Sequence, residues 1–314
     1  MTTANAKPGD FQVGVVGGGP WGQALAKAAR RAGAHVVLHT RRDLDRPDDG
    51  VTITTDYAEV ADAPLVVLAV PSSVVRPVLG ALGDHLTGQH LVVHGIRGLG
   101  TESLETVSDI VRDETAVRRV GALGGPVQAG ELIRARPSAM IIGSRYPEVI
   151  KTVTKGFQSP HLRVWSTQDL KGLEWASALV GCLSIGVGFA EASGAGPGLV
   201  AALISRGVDE AAQIMVAAGG EERTMLGLGG YGDLLASIAL EDRPEVVLGK
   251  ALAQGVSLDE AIARAQLRIE AVPLIPRIVS FAEERRVQAS TFRALCDVLH
   301  GARPEALLER VFSA

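Results

Sequence analysis

Gln12–Val16 is a short apolar run of strand type. It passes directly into Gly17-Gly18-Gly19-Pro20-Trp21-Gly22, after which Gln23-Ala24-Leu25-Ala26 begins a helical pattern. A strand, a G-x-G-x-x-G turn and a helix in this order constrain the fold more than anything else in the chain. Gly17 permits the tight turn, Gly19 lets backbone approach a pyrophosphate, and Gly22 lets helix and strand pack closely. A helix that starts here points unpaired N–H groups at the phosphates. The segment predicts a dinucleotide site built from Gly17, Gly19, Pro20, Trp21 and Gly22.

The chain that follows fits such a site. His35–His39, Leu65–Val70, His90–Gly95 and Arg119–Leu123 read as further strands, apolar on both faces as buried parallel strands are. Trp21–Arg31, Ser73–Leu82 and Ser103–Val111 between them carry helical periodicity. Ala139–Gly143, helix-like Pro147–Phe157 and Leu162–Trp165 close this part. The expected fold is an α/β, Rossmann-type doubly wound sheet over residues 1–167, followed by an all-α domain over residues 168–314. The helices expected there are Leu170–Ala190, Gly198–Ala218, Pro244–Ala253, Leu258–Ala265, Ala271–Arg285, Ser290–His300 and Pro304–Phe312, punctuated by Gly219–Gly220, Gly227–Gly232, Gly255, Gly301 and Pro304.

The second strand decides which dinucleotide. It ends in Leu38-His39-Thr40-Arg41-Arg42. An NAD site usually places Asp or Glu there, about 20 residues past the glycines, on the ribose 2′-hydroxyl. Thr40 stands in that place, and Arg41 and Arg42 suit a 2′-phosphate. NADP is therefore the expected cofactor, with NAD as the alternative.

Bulk properties remove other classes. A net charge of −4 over 314 residues gives no support for nucleic acid as a partner. The two cysteines, Cys182 and Cys296, lie in apolar helical segments and read as reduced thiols of a cytoplasmic protein. No Cys/His cluster suggests a metal, and Asp48-Asp49-Gly50 reads as a turn. The beginning of the chain lacks a signal-peptide pattern. The longest apolar stretch, Trp175–Phe189, is short for a membrane span and reads as a core helix.

Five motifs in order give the chain a family resemblance. They are Gly17–Ala26, Ala69-Val70-Pro71-Ser72, Gly125-Pro126-Val127-Gln128-Ala129, Gly172–Gly207 ending in Ala202-Leu203-Ile204-Ser205-Arg206-Gly207, and Gly227–Leu234. Together they resemble the bacterial NAD(P)-dependent glycerol-3-phosphate dehydrogenases over most of the chain. The resemblance implies a homodimer of two-domain subunits with the active site between the domains. It also implies hydride transfer between NAD(P)H and a small ketone such as dihydroxyacetone phosphate. It places Pro71 at the cofactor, Asp233 at the family's catalytic-site Asp and Ser237 at a substrate-contacting Thr. Arg97, in Ile96-Arg97-Gly98, stands at the first family lysine. The second and central lysine, with the Asn after it, falls on Val180 and Gly181. The family's Arg-Asn phosphate patch falls on Pro244 and Glu245, with Arg243 alongside.

These departures bear on the chemistry. Ketone reduction needs a group that stabilises and protonates a developing alkoxide. Lys does both, Val does neither, and Arg stays protonated and so only stabilises. Lys171, Glu174, Lys250, His94 and Glu191 are the candidate replacement acids. The resemblance thus identifies a divergent dehydrogenase lacking the usual lysine, with Asp233, Arg97 and Ser237 as its expected catalytic residues. Action on another small carbonyl and a non-catalytic NADP(H)-binding role both stay open.

Overall fold

The computed structural model describes residues 11–42, 44, 50–100, 103–265 and 269–301. The helix expected over Pro304–Phe312 and the turn expected at Asp48-Asp49-Gly50, of which Asp48 and Asp49 are not described, lie wholly or partly outside them. The chain divides into two compact units. The first comprises Met1–Ile96 and Val107–Leu170, the second Arg97–Thr106 and Lys171–Ala314. Arg97 is thereby grouped with the helical unit.

Among the described residues the first unit is built on eight strands: β1 Gln12–Val16, β2 His35–His39, β3 Val51–Thr54, β4 Leu65–Leu68, β5 Leu91–His94, β6 Arg119–Gly124, β7 Ser138–Gly143 and β8 Leu162–Thr167. Their order is β3-β2-β1-β4-β5-β6-β7-β8. Helices α1 Pro20–Arg31, α2 Tyr57–Ala61, α3 Val75–Gly83, α4 Val107–Glu114, α5 Ala129–Ile133 and α6 Pro147–Phe157 complete the unit. The continuous apolar strands divide residue by residue between two cores. Leu65 and Val67 join Leu25 and Phe157 on one face, and Val66 and Leu68 join Leu79 and Val120 on the other. This is the double winding that the strand composition predicts.

Strands β1, β2, β4, β5 and β6, read as parallel, pair in parallel, whereas β7 runs antiparallel to β6. The helix joining them, α5, has five residues. It spans about 7 Å, too short to carry the chain back along a strand of about 20 Å. Ser103–Val111 is helical only from Val107, and the strand expected over Leu65–Val70 stops at Leu68. Edge strand β3 and helix α2, capped by Asp56 at the Ala58 N–H, were not expected at all.

The second unit contains α7 Leu170–Ala192, α8 Pro197–Ala217, α9 Glu222–Leu226, α10 Asp233–Ile238, α11 Pro244–Ala253, α12 Leu258–Ala265, α13 Ala271–Glu284 and α14 Ser290–Leu299. By length and composition α7 could cross a membrane, but its most apolar window is wholly buried inside the protein. It is the axis of the helical core. Helix α11 crosses it at backbone contact. A Cβ on Gly249 would lie 2.0 Å from the Ile185 carbonyl oxygen, and one on Gly188 would lie 2.4 Å from that of Val246. These two glycines bring the start of α11, with Glu245, against α7.

Gly227–Gly232 is not the chain break that its composition suggests. Leu228–Gly232 forms a π-helical turn running straight into α10. Such turns occur frequently at functional sites. Here the turn delivers Asp233 into the core.

Candidate functional site

In the first unit the strand order reverses at β1, which lies between β2 and β4. Ligands of open α/β sheets bind outside the carboxyl ends of the strands at such a switch point. Gly17 sits there with φ +126, its N–H donating to the His39 carbonyl at 3.0 Å. A Cβ at Gly17 would lie 2.3 Å from the Ala69 carbonyl oxygen, and one at Gly22 would lie 1.8 Å from that of Gly17. Gly18 is equally confined, with Thr40 Oγ1 at 2.1 Å from its Cβ position. Gly19 differs from all three, since a Cβ there meets nothing within 4 Å. It is the N-cap of α1, with no side chain capping the helix and Pro20 in its first turn. A dinucleotide fits this arrangement: a tight turn, a bare helix N-terminus and open space where only a glycine leaves it.

The neighbouring residues are placed as follows. Thr40 is buried, and its hydroxyl accepts from the Arg42 N–H at 3.0 Å, turning the chain so that Arg41 and Arg42 are exposed at the end of β2. Pro71 starts the short turn Ser72–Val74 just after β4. Trp21 lies against Gly95 at the end of β5, with its indole nitrogen 2.5 Å from the Cβ position of that glycine.

The second unit holds a buried charged cluster. Asp233 is 0 % exposed. Arg97 Nη2 donates to its Oδ1 at 3.0 Å, and Arg97 Nη1 lies 2.9 Å from Oδ2 in ionic contact without an aligned hydrogen bond. Ser237, one helical turn on, donates to the same Oδ1 at 3.3 Å, and Arg97 Nη1 also reaches the Ser177 carbonyl at 3.4 Å. The three residues expected to be catalytic are therefore brought together. Val180 is fully buried in the helical core.

Glu245 was named only as a lost asparagine, yet it belongs to the cluster. Its Oε2 accepts from Arg243 Nε at 2.9 Å. From the Cβ position of Gly181, Arg97 Cδ is 3.6 Å away and Glu245 Oε1 is 3.8 Å away. Burial works to lower the Arg97 pKa, but the charges of Asp233, Glu245 and Glu270 together carry it above the ordinary value. Burial, and then the charge of Arg97, lower that of Arg243. Burial and then Glu245 push the Cys182 thiol up, which leaves it inert. The sequence signal for Glu245 was an acid in the first turn of a helix begun by Pro244. Glu270 carried none. Of the candidate replacement acids, Lys250 lies 3.9 Å from Glu191, while Glu174 and His94 are buried.

Comparisons with known proteins identify the family and the fold. The model of the NAD-dependent glycerol-3-phosphate dehydrogenase N-terminus matches residues 43–150, and that of the C-terminus matches residues 169–309. The glycerol-3-phosphate dehydrogenase [NAD(P)+] of Oleidesulfovibrio alaskensis is 31% identical, over 96% of this chain and 98% of that protein. The enzyme of the same name from Thermobifida fusca is 30% identical, over 95% of each chain. Among solved structures, glycerol-3-phosphate dehydrogenase from Coxiella burnetii superimposes with a TM-score of 0.88 at 22% identity, covering 97% of this chain and 99% of that one, which establishes the shared fold. The chain belongs to the NAD-dependent glycerol-3-phosphate dehydrogenase family, whose members are NAD(P)-dependent oxidoreductases acting on a CH–OH group.

Proposed function

We propose that this protein is an NADP(H)-dependent oxidoreductase that interconverts a small ketone and its alcohol. Residues 1–167 bind the dinucleotide, and residues 168–314 form the substrate and dimerisation domain, joined by Arg97. The observation that carries the reading is Gly19, open to a pyrophosphate at the head of α1 while its neighbouring glycines are closed by backbone or side chain. The reduced nicotinamide supplies the hydride. Arg97 supplies N–H donors to the carbonyl oxygen as negative charge develops there. A guanidinium has five such donors, more than Asp233 and Ser177 engage. Asp233 orients Arg97, and the Ser237 hydroxyl holds Asp233. Arg97 stays protonated, so the proton for the alkoxide comes from water or another side chain.

The test is steady-state NADPH oxidation with dihydroxyacetone phosphate and a panel of small carbonyls. Removing one oxyanion donor costs about 10²–10³ in kcat, so Arg97→Ala should fall by that much and Asp233→Asn by less. With Val180 at the lysine position, turnover of dihydroxyacetone phosphate should be far below that of the curated relatives. The burial of Val180 favours a second reading, a non-catalytic NADP(H)-binding protein. Silence across the panel with NADPH bound would select it.

Exposed Val216, Leu226, Tyr231 and Leu235 on the helical unit support a homodimer. The two free cysteines suit a reducing, cytoplasmic setting.

A further inference from the structure

We infer that Glu245 is a specificity-determining residue that turns the Arg97–Asp233 site away from phosphorylated substrates and toward uncharged hydroxy-ketones. The inference rests on the reading of that cluster as the place where the carbonyl is handled. It starts from charge. Arg97 and Arg243 are the cations, and Asp233, Glu245 and Glu270 are the carboxylates whose fields act on Arg97. Among the described residues the cluster thus holds one more carboxylate than guanidinium.

A phosphate monoester brings about −1.5 to −2 charges at neutral pH. It is best gripped by a guanidinium fork that is free to face it. Neither fork is free here. Arg97 is engaged by Asp233 through both Nη atoms, and Arg243 is engaged by Glu245 at 2.9 Å. The Arg243 and Glu245 side chains are only 15% and 11% exposed. A phosphate could take the full fork of either guanidinium only by displacing its carboxylate, which would leave a buried negative charge beside the incoming anion. Glu245 makes this worse by position, because its Oε1 and the Arg97 Cδ both lie within 4 Å of the Cβ position of Gly181. An anion brought to Arg97 therefore also meets Glu245. An uncharged carbonyl asks only for one N–H donor and meets no such repulsion.

Glu245→Gln removes the charge while keeping an acceptor for Arg243, and Glu245→Asp keeps the charge. Two readouts apply, both with NADPH present. One is the ratio of kcat/KM for dihydroxyacetone to that for dihydroxyacetone phosphate. The other is calorimetric affinity for glycerol 3-phosphate. In the unmodified protein the ratio should favour dihydroxyacetone by at least about tenfold. E245Q should move the ratio at least about tenfold toward the phosphate and tighten glycerol 3-phosphate binding by a similar factor. E245D should keep the parent's ratio. A parent that prefers the phosphate, or an E245Q protein with unaltered ratio and affinity, overturns the inference. Absence of all turnover would count against the oxidoreductase reading alone, and the glycerol 3-phosphate affinities would still decide the role of Glu245.

Discussion

Two glycine-rich segments of this protein use the same residue to opposite ends. In Gly17–Gly22 one glycine, Gly19, leaves open space at a helix start while Gly17, Gly18 and Gly22 make room for the chain, and in Gly227–Gly232 Gly229 and Gly230 make room for the chain alone. Gly19 faces open space, whereas a Cβ on Gly230 would lie 2.2 Å from the Met225 carbonyl oxygen and 2.6 Å from the Met225 Cα. A Cβ on Gly229 would lie 2.6 Å from Leu173. The first segment exposes N–H groups at a helix start. The second folds its backbone onto α9 as a π turn and so seats Asp233 at the head of α10. A glycine cluster therefore says nothing about ligands until one knows what stands opposite each Cβ.

The sharpest way to break this comparison is to fill one glycine in each segment. Gly230→Val presses on backbone atoms that cannot rotate away. It should cost about 3 kcal/mol or more, the upper end for overpacking, read as a lowered urea midpoint. Gly19→Val puts its Cβ where nothing lies within 4 Å, and its backbone is already extended, at φ −72 and ψ 173. Its effect on stability should be about 1 kcal/mol, the cost of a poor N-cap residue, while NADPH binding is lost. A folded Gly19→Val protein with unchanged NADPH affinity would sink the dinucleotide assignment.

The same contrast explains what was legible in the sequence. The loop Gly17–Gly22 was readable because all its determinants are local, a strand before and a helix after. The strands were readable because alternate residues such as Leu65 and Val66 enter different cores, leaving an unbroken apolar run. Edge strand β3, Val-Thr-Ile-Thr, has only one buried residue in four and gave no such run. The π turn was hidden because its glycines answer to Met225 and Leu173. Asp233, Arg97 and Ser237 were found through family motifs. Their partner Glu245 owes its place to the crossing of α7 and α11 at Gly188 and Gly249, which no local pattern announces.

A smaller effect sharpens the ligand side. Arg41 and Arg42 are exposed at the end of β2, directed there by the Thr40 hydroxyl. Hydrogen bonds to a charged partner contribute about 1.5–3 kcal/mol. Replacing both arginines by Ala should weaken NADPH binding by about tenfold to a hundredfold and leave NADH binding unchanged. Equal losses for the two cofactors in calorimetric titrations would mean that the arginines do not read the 2′-phosphate.

The smallest expected effect contrasts the two units by pH. In the first unit His39 is 5 % exposed and stacks on Tyr57, with ring centroids 4.0 Å apart. Burial, aided by the charge of Arg41, holds its pKa below the ordinary 6.5. In the second unit Glu210 is also 5 % exposed and accepts the Thr291 N–H at the start of α14 at 2.7 Å. Burial raises its pKa above the ordinary 4.5, although the backbone N–H of Thr291 works against the shift. The signs are opposite. For His39 the unfolded chain takes up its proton first, so stability present above pH 6.5 is lost as pH falls toward the folded pKa. For Glu210 the folded protein takes up its proton first, so stability present below pH 4.5 is lost as pH rises through the folded pKa. His39→Gln should therefore gain stability relative to the parent as pH is lowered from neutral, and Glu210→Gln should lose it. Urea midpoints of the three proteins across about pH 7.5 to 4.5 decide the matter. Differences from the parent that run in the same direction for both variants would show that at least one of these groups does not titrate as its burial dictates.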